Sequence, residues 1–155
     1  MKILTRNILI LSIVSLFNDA AGEMITPILP LYLQSIGFSF IWIGVLEGMA
    51  EATAGLSKGY FGAFSDNIGR RLPFVQLGYL ISAISKPILL LSVYPLWVFF
   101  VRTLDRFAKG VRSSSRDALL SDEATPATKG RVFGFHRAMD TCGAVIGPGI
   151  ALIYL

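Results

Sequence analysis

Five long stretches dominated by apolar residues follow one another along the chain, at about 7–34, 40–65, 72–93, 95–117 and 130–155. Each is long enough for the roughly 20 residues that a helix needs to cross a bilayer. Together they leave little sequence for a soluble domain. The pattern predicts an all-α integral membrane protein with five transmembrane helices. Pro27 and Pro30 fall inside the first stretch, and Lys86-Pro87 marks an expected bend in the third.

Polar residues interrupt these stretches at helical spacing. Asp19 and Glu23 lie in span 1, Glu47, Glu51 and Lys58 in span 2, and Lys86 in span 3. Arg102, Asp105, Arg106 and Lys109 lie in span 4, and Arg137 and Asp140 in span 5. A single charge at the bilayer centre costs about 2.5–3.5 kcal/mol on insertion scales. The signs balance, which points to mutual pairing or to a wet cavity. Arg102, Arg106, Lys109, Ser113 and Arg116 share one helix face, as do Glu47, Glu51 and Lys58. Each span therefore has a polar stripe and an apolar back. The charged face of span 4 is expected to line a cavity opposite the acids of spans 1 and 2. Its last turns, from about Arg112, are expected to emerge into the cytoplasm.

The connections alternate. "DNIGRRLP" between spans 2 and 3 carries Arg70 and Arg71, and the connection between spans 4 and 5 carries Arg112, Arg116, Lys129 and Arg131. "QSIGFSF" and "VYPLW" carry no charge. Every basic connection falls on one side, with Lys2 and Arg6. By the positive-inside rule the N-terminus is cytoplasmic and Leu155 lies across the membrane. The opening "MKILTRNILILSIVSLFNDAAG" looks like a signal peptide. However, Asn18 and Asp19 suit no cleavage site, and an uncleaved first span is the better reading. The apolar pattern still runs at "GIALIYL", so the chain is expected to continue.

Composition agrees. Of 155 residues, 54% are hydrophobic and 15% charged, against about 25% charged in soluble domains. The net charge of +4 reads as membrane orientation. Nucleic-acid binding is excluded, because the basic residues sit in or beside apolar spans. The lone Cys142 allows neither an internal disulfide nor a multi-thiol metal site, and it reads as a small packing residue. His136 is the only histidine. It reads as an interfacial packing residue near the cytoplasmic end of span 5. No nucleophile–base pair or metal-ligand set appears, so neither enzymatic activity nor a cofactor is expected.

"GAFSDNIGRR" resembles the loop signature of the major facilitator superfamily, Gly-x-x-x-Asp-basic-x-Gly-Arg-basic. Gly62, Asp66, Gly69, Arg70 and Arg71 match, and Asn67 stands at the first basic position. "RFAKG" resembles the span 4 signature, with Lys109 in place of Gln. In span 5, Gly134, Gly143, Gly147 and Pro148 match the start of the family's antiporter signature, whose closing glycine pair is missing. The resemblance covers the whole chain as the first five spans of twelve, an incomplete six-helix N-terminal half-bundle. It implies alternating access around a midplane site, with spans 1 and 4 on the cavity, spans 2 and 5 at the seam, and span 3 outside.

The function expected on these grounds is secondary active transport of a polar or charged small solute. Proton-coupled export across the plasma (inner) membrane is the first reading. Uptake by symport is the alternative within transport. A small accessory membrane protein, or a fragment without transport, is the alternative outside it. Asp19, Glu23, Glu51, Arg102, Asp105, Arg106, Lys109, Arg137 and Asp140 are the coupling and cavity candidates. Gly62, Asp66, Gly69, Arg70 and Arg71 are the gate candidates. The implied partners are the solute, a proton or other coupling ion, the lipid bilayer and the missing C-terminal half of the transporter.

Overall fold

The computed structural model describes residues 4–91 and 93–154. Lys2 and Leu155, both used above to orient the chain, lie outside the described residues. Among the described residues all regular structure is helical. The elements are α1 (Arg6–Ser35), α2 (Phe40–Ile68), α3 (Leu72–Leu89), α4 (Pro95–Glu123) and α5 (Lys129–Tyr154). By length and composition, α1 and α3 are apolar enough to cross a membrane. The other three carry more charged residues per turn, and their case rests on where those residues point.

Local chemistry sets the helix ends. Ser39 starts α2, and its hydroxyl accepts from the Trp42 amide. Gly69 ends α2 in the left-handed region at φ 68°, and its N–H reaches the Ser65 and Asp66 carbonyls. Pro73 lies in the first turn of α3, where its missing N–H costs nothing. Pro87 lies in the last turn of α3. The expected bend there is instead the approach to the helix end, and α3 stops at Leu89, short of position 93. The Trp97 indole donates to the Ile88 carbonyl at 3.0 Å, satisfying one of the acceptors this end leaves open. Pro27 and Pro30 are both accommodated within a continuous α1.

The second difference lies at the end of α4. Span 4 was expected to end near 117, and α4 continues to Glu123. Serine is a weak helix former that competes for backbone hydrogen bonds. Here packing overrides propensity. Ser115 and Arg116 are buried, Ser114 packs against Gly62 of α2, and the Ser113 hydroxyl returns to the Lys109 carbonyl.

The contacts divide the chain into two compact units. One is the continuous segment Leu33–Ala118, holding α2, α3 and most of α4. The other combines the chain up to Tyr32 with the chain from Leu119 onward. In the continuous unit, α2 and α4 run parallel, because 47 meets 102, 51 meets 106, 57 meets 110 and 62 meets 114. α3 runs antiparallel to α4, since 79 meets 112, 85 meets 105 and 88 meets 97. Phe61, Phe64, Phe74 and Phe107 join the three helices edge to face or tilted, with centroids 5.5–6.2 Å apart across helices.

In the discontinuous unit, α1 and α5 run parallel. Gly143 meets Leu16 and Ala20, and Gly147 meets Ala20 and Met24. Missing side chains let the two backbones touch. Ile8, Leu120 and Val132 form its apolar core, with Leu4, Leu11, Phe133 and Phe135 against them. Glu123 closes one end, accepting from Thr5 and Asn7 at 2.9 and 2.6 Å.

Candidate functional site

The charged groups of the continuous unit are sorted by the two faces of α4. Positions 102, 106, 110 and 114 repeat every four residues and face α2. Arg102 is 4% exposed and makes a two-pronged bond to Glu47, Nε to Oε1 at 2.9 Å and Nη2 to Oε2 at 3.2 Å. That planar fork is the strong form of an arginine–carboxylate contact. One turn on, Arg106 Nε lies 3.1 Å from Glu51 Oε1. Gly110 then admits α2 so closely that a methyl group would stand 2.5 Å from the Ala54 carbonyl oxygen. The two matched i, i+4 pairs tie parallel helices together rung by rung.

The other face of α4 carries Asp105, Ala108 and Arg112 and meets α3. Asp105 accepts from Ser82 at 2.6 Å and Ser85 at 3.1 Å, and lies 3.5 Å from Lys86 Nζ. Lys86 also donates to the Ser82 carbonyl and hydroxyl at 3.0 Å. Asp105 was expected to be a cavity group, beside the stripe of Arg102 and Arg106 rather than on it. It points instead to α3, because three residues along a helix from 102 is a rotation of about 300°. Arg112 is 2% exposed and lies over the Tyr79 ring at 4.9 Å. Arg116 is buried beside Asp117 at 3.2 Å. Lys109 is half-buried.

The loop motif is assembled as a small clamp. Arg71 donates to Asp66 Oδ1 through Nη2 at 2.9 Å and Nε at 3.2 Å. Its third arm reaches the Ala118 carbonyl of α4 at 3.3 Å. Asp66 therefore holds the arginine that fastens the α2–α3 turn to α4. Gly62 approaches Ser114, Gly69 supplies the left-handed turn, and Arg70 is exposed. Asp66→Asn keeps the shape and removes the charge. The α2–α3 turn is expected to loosen from α4, read as faster amide exchange over 66–72 with α1 and α5 unchanged.

In the discontinuous unit, Asp19 and Glu23 are half-buried on α1. They flank the stripe Ser12, Leu16, Ala20 and Met24 that meets α5. Asp140 is 13% exposed and lies 3.6 Å from Arg137, which is 57% exposed. Of the span 5 motif, Gly143 and Gly147 touch α1. Gly134 meets nothing within 4 Å, and Pro148 sits inside α5.

Some participants were not singled out by sequence. Glu47 was counted as a charge but not as a partner of Arg102. Its signal was the identical spacing of 47/51 and 102/106. Ser82 and Ser85 carried no signal of their own. His136, read as an interfacial packing residue, is fully buried, with Nδ1 3.0 Å from Ser12 Oγ and Nε2 3.5 Å from Asp140. Cys142, read as a packing residue, is exposed. A wide apolar pocket of about 560 Å³ at the start of α2 and α4 is lined by Trp42, Leu46, Met49, Tyr94 and Phe99 among others. None of its lining residues is charged.

Comparison with known proteins makes the class definite. The sequence profile of the Major Facilitator Superfamily matches residues 11–155, and the chain belongs to that family of membrane transporters. It is thus an integral membrane protein. It is 38% identical over 152 residues to an uncharacterized MFS-type transporter of Methanocaldococcus jannaschii, covering 98% of this chain and 38% of that protein. It is 31% identical over 144 residues to an uncharacterized protein of Mycobacterium tuberculosis, covering 92% and 35%. It is 21% identical over 127 residues to the quinolone resistance protein NorA of Staphylococcus aureus, covering 82% and 32%. The chain spans under two fifths of the length of each.

Proposed function

We propose that this chain forms the first five spans of a secondary transporter that exports a polar or charged small solute in exchange for protons. Family membership carries the reading. The helix directions support five alternating spans, since α2 and α4 are parallel, α3 opposes α4, and α1 parallels α5. The loop charges support a cytoplasmic N-terminus in a plasma (inner) membrane. The balanced charges within the helices, already paired in part, support a bundle that lowers the cost of carrying them through a bilayer. The partial antiporter signature, and the name of the staphylococcal relative, favour export.

In this reading the second half of the cavity comes from chain beyond these five spans, and the Asp66–Arg71 clamp is part of the cytoplasmic gate. Asp19 and Glu23 carry the coupling proton. Asp19 lies in the middle of α1 and Glu23 one turn on. A carboxyl group in a cavity gains or loses a proton as a cation approaches or leaves. The experiment is pH-gradient-driven flux of a quinolone into inverted vesicles holding the full-length protein. Flux that collapses with a protonophore is expected, and flux that ignores the gradient would remove proton coupling. Asp19→Asn is expected to abolish gradient-driven flux while solute exchange without a gradient persists. Glu23→Gln is the matched comparison. If both variants keep gradient-driven flux, the coupling group is elsewhere.

A further inference from the structure

His136 is the largest polar side chain buried between α1 and α5. Two groups of opposite character flank its ring. On one side Ser12 Oγ lies 3.0 Å from Nδ1, and on the other Asp140 Oδ1 lies 3.5 Å from Nε2. Ser12 and His136 are both fully buried, and Asp140 is 13% exposed. A buried neutral histidine needs one donor and one acceptor partner. This one faces a group that can reverse its hydrogen bond and a group that holds a negative charge.

We propose that His136, seated between Ser12 and Asp140, is a proton-binding site. In the neutral ring with its hydrogen on Nε2, Nδ1 accepts from the Ser12 hydroxyl and the N–H lies on the Asp140 side, 3.5 Å from Oδ1. Uptake of one proton from water forms an N–H bond at Nδ1. The hydroxyl turns about its C–O bond and accepts where it had donated. No bond between heavy atoms breaks. The imidazolium charge then stands beside the Asp140 carboxylate. A serine hydroxyl is both donor and acceptor, which is what both protonation states require. Leu, Met or Phe at 136 would fill the space without this capacity.

The charged surroundings suit one added proton. On α5, Arg137 Nη1 lies 3.6 Å from Asp140 Oδ2, leaving Oδ1 toward the ring. On α1 the nearest charged positions along the chain are Arg6 and Asp19. They are about 9 and 10 Å from Ser12 along the axis at 1.5 Å per residue. The end of α4 brings Asp122, and Glu123, which is held by Thr5 and Asn7 at the first turn of α1. Asp140 is thus the carboxylate that answers a charge on His136. Asp19 is about two turns beyond Ser12 on α1, beside the seam. The site rests on the transporter reading only for its role in coupling; the protonation itself is independent of transport.

The test is the pH dependence of the His136 ring resonances. The full-length protein, carbon-labelled in its histidine rings, is placed in phosphatidylethanolamine–phosphatidylglycerol nanodiscs. Spectra are recorded from about pH 5 to 9, which brackets ordinary histidine titration. Loss of a signal in His136→Gln assigns it. That signal is expected to shift in one step, and Asp140→Asn is expected to displace the midpoint by about one pH unit. Asn is nearly isosteric with Asp, and the remaining spectrum reports whether the variant is folded. A signal that stays flat across the range overturns the proposal, as does a midpoint that Asp140→Asn leaves in place. If His136 titrates as expected and flux ignores the pH gradient, the site stands and the proton-coupled reading fails.

Discussion

Replacing Glu47 with Ala is expected to be among the most damaging single changes in the α2–α4 pair, costing about 3–5 kcal/mol of stability. The reason is an asymmetry of burial. The Arg102 side chain is 4% exposed and that of Glu47 is 31% exposed. Removing the carboxylate strands a guanidinium that has no route to water. Removing the guanidinium strands a carboxylate that still reaches the surface, so Arg102→Leu is expected to cost less. The double change is expected to recover most of the loss, because an apolar pair of similar volume needs no desolvation. Unfolding midpoints of the full-length protein in lipid nanodiscs measure all three. A double variant no better than Glu47→Ala would show that the two residues do not act as a pair. Arg106 and Glu51 follow the same rule with a smaller effect, since Glu51 is 59% exposed.

The second large effect is expected at Gly143. A Cβ there would stand 2.4 Å from the Leu16 carbonyl oxygen. That atom belongs to the backbone of α1, so no rotamer change relieves the clash. At Gly147 the corresponding contact is with the Ala20 carbonyl. Gly143→Val is expected to push the helices apart and cost about 1–3 kcal/mol, the ordinary range for an overpacked core. The double change at 143 and 147 is expected to cost more. Gly149, on the same helix, meets nothing within 4 Å. Gly149→Ala is therefore expected to be neutral or stabilising by up to about 1 kcal/mol, through helix propensity alone. Equal midpoint losses at 143 and 149 would mean that the close approach of α1 and α5 has no energetic weight.

These expectations mark what a single sequence can and cannot specify. Periodicity along one helix is legible, so the all-helical character and the charged stripes could be read directly. The shared spacing of 47/51 and 102/106 was visible too. The partner of each arginine was not, because spacing along a helix says nothing of the offset between helices. Candidate partners for Arg106 included Glu51, which is found there. For Arg102 the carboxylate found is Glu47, which was read as a charge of span 2 and not as a cavity candidate. Asp105 shows the same limit, since its rotation to α3 matters only once α3 has a place. Asp140 stands four residues from His136, so that neighbour was legible in the spacing, whereas Ser12, on another helix, was revealed only by the fold.

The discontinuous unit also sets a timetable for synthesis. The segment Leu33–Ala118 can assemble once α4 has been made, since all its parts are contiguous. α1 cannot complete its own unit until chain beyond Leu119 emerges, roughly 85 residues after Tyr32. At 5–20 residues per second that interval is about 4–17 s. Throughout it, Ser12 and the bare seam at Leu16 and Ala20 wait without the α5 surface that later covers them. The ribosome thus releases the polar face of α1 well before its partner. The insertion machinery, rather than the finished fold, must shelter that face in the meantime.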